Sequence, residues 1–478
     1  MNIITESLYD KPIVVFREYV QNAVDSFFKT QSDAVKAEDL VCKIYFNNNN
    51  LYIFDNGNGI NNDNFENVMR QIAFSEKKRT VNIGYKGIGR LSGISYCQEL
   101  EFVNILDFKE NQHQKFMIDC KKYNVLKEQE SYSEMSFDEL MDQIGTFYDL
   151  DNIDGDSEIA SIMKDFESLF TLTGKGFLVI LKEISPVLRK IIEDNDKFVS
   201  ELGWLLPVGF KKEMYNIKEK ELFEEFSQSD SINYAIAPGF HILYNDHVIE
   251  RPIDENMLRD YTCKFDLGYG KGFFTFRRNK IIVEKSNPFS GIRLYIDNML
   301  LCDETELIPM LLQYGLLDHS SNELLQTVNA IGAMIYVTDK VSITANARRT
   351  FIEVTDTDSL VFLEKIAVFI ENVYKARYSL SKYSSAKKNL ESSGQKVKEL
   401  RDKANQDLQN LASEEITIPQ EDDDIVSFSN LSITEKKHAI KKKLTREVNE
   451  QIKLYLAHAT SFDYKNALED FKVWLRTL

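Results

Sequence analysis

The chain has 478 residues, enough for roughly two to four domains with sizeable hydrophobic cores. Its 75 acidic residues outnumber 58 lysines and arginines, and the resulting net charge of −17 argues against a general binder of nucleic acid or membrane surfaces. Five scattered cysteines without a Cys-x-x-Cys pair, and the lack of a signal peptide, favour a reducing cytoplasm. No apolar run approaches the ~20 residues of a membrane span, so we expect a soluble protein that does not bind membranes.

The first strong pattern is a predicted helix that contains residues 16–25, where apolar residues recur at helical spacing. Glu18, Asn22 and Asp25 stand at i, i+4 and i+7, which places all three on another face of that helix. Taken alone, this face fits either a functional polar wall or the solvated side of an amphipathic helix.

Two glycine motifs follow. Residues 55–59 read D-x-G-x-G directly after the strand-like run 51–54, and residues 83–92 contain G-x-x-G-x-G before an apolar run. Glycine lets backbone N–H groups approach an anion closely, and a helix N-terminus adds partial positive charge. The ordered set E-x3-N-x2-D, D-x-G-x-G and G-x2-G-x-G is far more specific than any one of these motifs.

At these motifs the chain resembles the GHKL superfamily of ATPases, named after gyrase, the heat-shock chaperone, histidine kinases and MutL. Residues 16–25, FREYVQNAVD, and 83–92, IGYKGIGRLS, look most like the heat-shock-chaperone branch. The resemblance implies an ATPase whose nucleotide lies with Mg²⁺ in a Bergerat-type α/β sandwich. Phosphoryl transfer to water needs positioning and charge stabilisation more than covalent chemistry, which suits such a site.

The resemblance also implies roles for individual residues. Glu18 would be the general base that polarises the attacking water, and Asn22 would hold Mg²⁺ against the phosphates. Asp55 would accept a hydrogen bond from the adenine amino group, and Gly59 would leave room for the base. Asp25 either supports Asn22 or the base pocket, or is a helix-surface acid. The nucleotide-binding set is completed by Gly57, Gly84, Lys86, Gly87, Ile88 and Gly89.

The strand predicted around residues 176–181 departs from the family pattern. Relatives carry Gly-Thr ahead of this hydrophobic strand, and the threonine helps to fix the acid on the adenine side. Here Phe177 follows Gly176 and Thr173 stands upstream, so the second adenine contact lacks its usual residue.

An arginine motif is predicted in a second domain. The segments 294–301 and 306–309 resemble the middle or transducer domain of the chaperone branch, and Asn346-x-x-Arg349 stands where that domain carries an arginine loop. Arg349 is the predicted catalytic contact to the γ-phosphate, with Arg348 as the alternate. A surface ion pair or a contact to an acidic partner is the structural alternative.

The predicted fold class is α+β, with an α/β sandwich, a second α/β domain that begins near Ser231 and includes a hairpin at 242–249, and a helical C-terminal region. Residues 120–172 are interpreted as a peripheral acidic insertion in the first domain. The predicted boundaries are an ATP-binding domain at 1–184, a helical linker at 185–230, a transducer-like domain at 231–378, a helical stalk at 379–412, an acidic linker at 413–434 and C-terminal helices at 435–478.

The sequence thus predicts a slow, Mg²⁺-dependent ATPase acting as a chaperone-like conformational switch on an unidentified protein partner, with two copies brought together as a nucleotide-dependent homodimer. One alternative is a DNA-handling clamp of the MutL or MORC type, or the ATPase component of a bacterial defence system; the net charge disfavours DNA. Another alternative is an ATP-gated scaffold with little hydrolysis. A histidine kinase is disfavoured because no helix bearing a phospho-accepting histidine precedes Phe16.

Overall fold

The architecture is taken from a computed structural model. It describes residues 11–30, 35–70, 89–110, 112–129, 132, 134–148, 164, 166–170, 173–210, 239–253, 261–276, 289–296, 298–337, 341, 357–388 and 394–410. These residues fall into two compact units, one that ends at residue 371 and one that begins at residue 372.

Helices and strands are mixed along the described part of the chain, as the α+β prediction requires. The first group is α1 (Val14–Thr30), β1 (Val41–Asn47), β2 (Asn50–Asp55), α2 (Phe65–Arg70), β3 (Glu99–Asp107), β4 (Gln112–Asp119), α3 (Cys120–Lys127), α4 (Phe137–Ile144), β5 (Gly145–Tyr148), α5 (Glu167–Phe170), β6 (Gly176–Lys182), α6 (Pro186–Glu193), α7 (Asn195–Leu205), β7 (His241–Tyr244) and β8 (His247–Val248). The second group is β9 (Tyr261–Asp266), β10 (Gly270–Phe276), β11 (Gly291–Ile296), β12 (Met299–Asp303), α8 (Glu304–Gln313), α9 (Ser321–Val328), β13 (Gly332–Val337), α10 (Thr357–Lys388) and α11 (Gly394–Gln409).

The larger sheet has eight strands in the order β5-β4-β3-β6-β2-β1-β7-β8. All neighbours are antiparallel except β1 and β7. The predicted hairpin between β1 and β2 is confirmed, and it turns through Asn48 and Asn49 at positive φ of 47° and 69°. Asparagine tolerates this left-handed backbone better than other side chains, which explains the asparagine run at the turn.

Helix α1 packs on this sheet through the apolar stripe that the sequence predicted. The buried apolar side chains of the helix are Val15, Phe16, Tyr19, Val20, Ala23, Val24 and Phe27. Full burial of one large apolar side chain contributes about 1.5 to 3 kcal/mol, so this face anchors the helix firmly. Its polar residues are thereby held at one fixed position over the sheet.

The interpretation of 120–172 as peripheral is wrong for the residues of this range that the structure describes. Tyr123, Leu140 and Ile144 are at most 1% exposed and belong to the main core. Strand β5 extends the large sheet by pairing with β4. The short helices α3 and α4 are amphipathic, and because their apolar faces need cover they close one end of the core.

The hairpin at 242–249 forms, but its assignment to the second α/β unit is wrong. Strand β7 pairs in parallel with β1, so β7 and β8 complete the large sheet. Asn245 and Asp246 make the turn at positive φ of 44° and 70°. Local turn chemistry predicts a hairpin without saying which distant strand it joins.

The second sheet has five strands in the order β12-β11-β13-β10-β9, with β11 and β13 parallel. Arg251, which is fully buried, ties it to the first sheet's helices. Its Nη1 donates to the Gly203 and Trp204 carbonyls at 2.8 and 2.7 Å, at the end of α7. Its Nη2 donates to the Asn298 carbonyl and Oδ1 at 2.6 and 2.8 Å, in the β11–β12 turn.

The described part of the second unit is a helical hairpin. Helix α10 runs unbroken through residue 378, the predicted end of the transducer-like domain. Ser379 of α10 hydrogen-bonds to Asp407 of α11. Val397 and Ala404, which stand seven residues apart on α11, are buried. Among the helices of the described residues, none combines the length and apolar character needed to cross a bilayer.

Candidate functional site

Glu18 lies on α1 with its carboxylate partly exposed and held from one side. Arg17 donates to Glu18 Oε1 through Nε at 3.3 Å and Nη2 at 3.0 Å. The side chains of both residues are less than one-fifth exposed, at 16% and 17%. The paired arginine therefore fixes the carboxylate's direction and engages one oxygen.

The other oxygen of Glu18 faces the end of the second glycine motif. A β-carbon added at Gly89 would stand 2.4 Å from Glu18 Oε2, closer than two such atoms can approach. Gly89 begins the 3₁₀ turn Gly89–Gly93. The structure thus brings together Glu18 and Gly89, two residues far apart in sequence.

The D-x-G-x-G motif forms a tight turn against the other end of α1. Gly57 N–H donates to Asp55 Oδ1 at 2.9 Å, and Asp55 is only 6% exposed. A β-carbon at Gly57 would stand 2.2 Å from Ser26 Oγ. Glycine is needed at residue 57 because the turn and the helix touch there.

Gly59 allows a second close approach, to a residue that the sequence analysis did not select. It has a φ of +63°, and its added β-carbon would stand 2.6 Å from Asn104 Oδ1. Asn104 is fully buried, and its side chain makes two hydrogen bonds to the backbone of Ile60, the residue after Gly59. Its Oδ1 accepts from Ile60 N–H at 2.9 Å, and its Nδ2 donates to the Ile60 carbonyl at 2.8 Å. The available signal was a polar residue in the apolar phase of β3, following Leu100 and Phe102.

Asn56 is another structural residue of this motif that the sequence analysis missed. It is 1% exposed, and its Oδ1 accepts from Val41 N–H at 2.8 Å. Its Nδ2 donates to the carbonyls of Asp39 and Leu169 at 2.9 and 3.0 Å. The loop after β2 is therefore tied to two other segments, residues 39–41 and α5, which makes the Asp55 turn a rigid feature.

Strand register aligns five side chains across the floor of this region. Cys42, Asp55, Phe177, Asn104 and Gln114 are successive lateral partners on β1, β2, β6, β3 and β4. Lateral partners share a sheet face, here the face that carries α1. Burial, followed by the nearby Asp55 charge, raises the pKa of the Cys42 thiol, which stays neutral beside the carboxylate.

Phe177 is therefore the residue of β6 that lies beside Asp55. The family resemblance predicts a threonine at this position. The Thr173 hydroxyl instead donates to the Lys175 carbonyl within its own turn, at 3.1 Å. Phe177 packs edge-on to Phe65 with ring centroids 6.3 Å apart. The wall beside Asp55 is therefore apolar on this strand.

The remaining polar residues of α1 differ in exposure. Asp25 is fully buried, so the helix-surface alternative for this acid is wrong. Asn22 is exposed, one turn beyond Glu18. Along the helix, Glu18, Asn22 and Ser26 are spaced by one turn each, so the Gly89 end and the Asp55 end are about 12 Å apart with Asn22 between them.

Several predicted site residues lie outside the described part of the chain. They are Gly84, Lys86, Gly87, Ile88, Arg348 and Arg349. Their roles stay predictions.

A magnesium site was predicted at Asn22. The described residues contain no cluster of three or more His, Cys, Asp or Glu side chains suited to hold a metal. Mg²⁺ commonly keeps several waters and binds through one or two protein oxygens together with substrate phosphates. Asn22, an exposed residue one turn from Glu18, has a side chain of the type that suits this mode of binding.

Residues 11–146 match the family model described as histidine kinase-, DNA gyrase B- and HSP90-like ATPase. No curated protein sequence matches the chain significantly. Among solved structures, the ATPase and transducer domains of DNA topoisomerase II from Balamuthia mandrillaris match with 9% identity and a TM-score of 0.35, over 77% of this chain and 86% of that chain. The family description spans several branches, so the heat-shock-chaperone branch stays a prediction. The matched region contains α1, both glycine motifs and strands β1 to β4, so the match to this ATPase family is a match of the N-terminal domain.

Proposed function

We propose that the chain binds ATP with Mg²⁺ and hydrolyses it at the site along α1. The observation that carries the proposal is the position of the Glu18 carboxylate, which lies against Gly89 at the end of the second glycine motif. The same helix touches the Asp55 turn through Ser26. The helix therefore spans the site, with a base candidate at one end and the turn that carries the buried Asp55 carboxylate at the other.

In this proposal Asp55 accepts a hydrogen bond from the adenine amino group, while Gly57 and Gly59 let the backbone turn lie close to α1 and β3. The triphosphate then points towards Glu18, because Asn22 and Glu18 follow in that order along the helix. Bound Mg²⁺ would neutralise phosphate charge, with the Asn22 amide oxygen as the protein ligand.

Glu18 would act on the attacking water. Its Oε1 is engaged by Arg17, so Oε2 is the atom that would accept the hydrogen bond from water and direct it towards the γ-phosphate. Gly84, Lys86, Gly87 and Ile88 complete the phosphate contacts in this proposal, and Arg349 reaches the γ-phosphate from the second domain.

We further propose, on the strength of the family resemblance, that ATP binding brings two copies together as a cytoplasmic homodimer and acts on a protein partner. The net charge of −17 favours a protein over nucleic acid as that partner. The ATP-gated scaffold stays the alternative, because Phe177 replaces a residue that relatives use in the base pocket.

The test is steady-state ATP hydrolysis and ATP binding by the full chain and by Glu18→Gln, with Glu193→Gln at an exposed helix end as the matched control. We expect Glu18→Gln to lose about 100-fold or more in turnover, the usual contribution of a positioned base, while it still binds ATP. Binding without Glu18-dependent turnover would favour the scaffold. Failure to bind ATP would contradict the proposed function.

A further inference from the structure

Tyr19 follows Glu18 on α1 and has a hydroxyl group that is buried in the core. The residue is 3% exposed, and its ring packs edge-on to Phe102 with centroids 6.3 Å apart. The hydroxyl donates to the Arg90 carbonyl at 3.0 Å and accepts from Gly93 N–H at 3.0 Å. One oxygen therefore bonds to two residues of the same short turn.

That turn is the 3₁₀ segment Gly89–Gly93, whose first residue touches Glu18. A second helix also holds it, because the buried Arg90 side chain donates through Nε to the Met69 carbonyl of α2 at 3.4 Å. Tyr19 thus fastens the turn to α1, and Arg90 fastens it to α2. The turn has little freedom to move relative to Glu18.

The space around Gly93 is also tight. A β-carbon at Gly93 would stand 2.6 Å from the Tyr19 hydroxyl and 3.2 Å from Leu181 Cδ2. Burial raises the pKa of Tyr19 far above its ordinary value, so the hydroxyl keeps its proton and can always donate to Arg90.

We propose that Tyr19 is a positioning residue for the ATPase reaction: its hydroxyl holds the Gly89–Gly93 turn against α1 and thereby keeps Gly89 in contact with Glu18 Oε2. This inference rests on the proposed function. Misplacement of a reacting group by about 1 Å can cost two orders of magnitude in rate, so a hydroxyl that never touches the nucleotide can still control turnover.

The first test compares Tyr19→Phe with Tyr132→Phe. Both changes remove one buried hydroxyl from the same hydrophobic core, but the Tyr132 hydroxyl hydrogen-bonds to Tyr123, at 3.5 Å. Turnover at saturating ATP, ATP affinity and melting temperature are measured for both variants.

We expect Tyr19→Phe to reduce turnover about tenfold or more while its ATP affinity changes less than about threefold, because the base is displaced and the nucleotide contacts remain. Tyr132→Phe should keep the turnover of the wild type even where its melting temperature falls. Wild-type turnover in Tyr19→Phe, or an equal loss in Tyr132→Phe, would overturn the inference.

A second test reads the contact without ATP. Gly93→Ala should lower the melting temperature strongly in the wild type and less in the Tyr19→Phe background, because the oxygen that its methyl group meets at 2.6 Å is then gone. An equal fall in melting temperature in both backgrounds would contradict the contact between the Tyr19 hydroxyl and the Gly89–Gly93 turn. Absence of ATP turnover in the wild type would instead contradict the proposed function. The contact between the Tyr19 hydroxyl and the Gly89–Gly93 turn could then still be verified by this second test, but it would have no catalytic role.

Discussion

Glu18 and Gly89 are in direct contact across the candidate site. A β-carbon on Gly89 would stand 2.4 Å from Glu18 Oε2 and 3.4 Å from Glu18 Cβ. The glycine therefore acts by leaving space for the carboxylate. Gly89 does not have a positive φ, so a larger residue would be excluded by its side chain and not by its backbone.

We expect Gly89→Ala to reduce ATP turnover by more than about tenfold, because the methyl group pushes the Glu18 carboxylate out of line. ATP binding should survive, since the Asp55 end of the site is untouched. The matched control is Gly315→Ala, which adds its β-carbon in open space and costs only left-handed backbone strain of about 1 to 2 kcal/mol. Unchanged turnover in Gly89→Ala would contradict the proposal that the space left by Gly89 positions the Glu18 carboxylate for catalysis.

Asn104 is expected to control nucleotide affinity more than turnover. Asn104→Leu leaves the buried Ile60 N–H and carbonyl without their partners, at a cost of about 1 to 3 kcal/mol, so the Asp55 turn should loosen. We predict an ATP affinity at least about tenfold weaker, measured by titration, and an intermediate loss in Asn104→Asp, which keeps the acceptor but not the donor. Asn58→Ala, an exposed amide in the same loop, should bind ATP almost normally. Normal affinity in Asn104→Leu would show that the turn holds without this residue.

Arg251 is predicted to be a stability residue. Arg251→Met leaves four oxygen contacts of a fully buried guanidinium unmade, so we expect the free energy of unfolding to fall by at least about 3 kcal/mol in urea titrations. Arg251→Lys should be intermediate, since an ammonium keeps the charge but lacks the fork that reaches both α7 and the Asn298 turn. A loss below about 1 kcal/mol in Arg251→Met would mean that the junction does not depend on this side chain.

Glu304 should make the protein less stable as the pH rises. Its carboxylate packs against Gly291, and burial raises the pKa of Glu304, an effect that Arg293 partly offsets. A carboxyl whose folded-state pKa is raised binds its proton more tightly in the folded than in the unfolded state. Its contribution therefore favours folding at acidic pH and is lost as the pH rises from the ordinary value through the raised one.

The measurement for Glu304 is the melting temperature of the wild type and Glu304→Gln across the acidic to neutral range. The melting temperature of Glu304→Gln should rise relative to that of the wild type as the pH rises, because glutamine has no proton to lose. Glu128→Gln, an exposed change, should run parallel to the wild type. A constant difference between Glu304→Gln and the wild type would show that Glu304 does not titrate in that range.

The local sequence predicted those parts of the fold that depend on near neighbours. Apolar spacing placed α1 and its buried face, and the asparagines at 47–50 and the Asn245-Asp246 pair placed two hairpin turns. The motif order also indicated the ATPase family whose model matches residues 11–146, since glycines and acids at these separations suit a ligand that the backbone approaches closely. These features depend on backbone conformation and helical periodicity, which neighbouring residues decide.

Contacts between residues that are distant in sequence could be learned only from the tertiary structure. No local pattern says that β7 joins β1, that Asn104 grips Ile60, or that Tyr19 bonds to Arg90 and Gly93. The sequence pattern around an amide in a strand or a hydroxyl in a helix does not show which group that side chain contacts. The sequence by itself determined which chemical groups the site contains and their order along the chain. Only the packing of helices on the sheet decided which of them touch, because each contact depends on where every other element in the core lies.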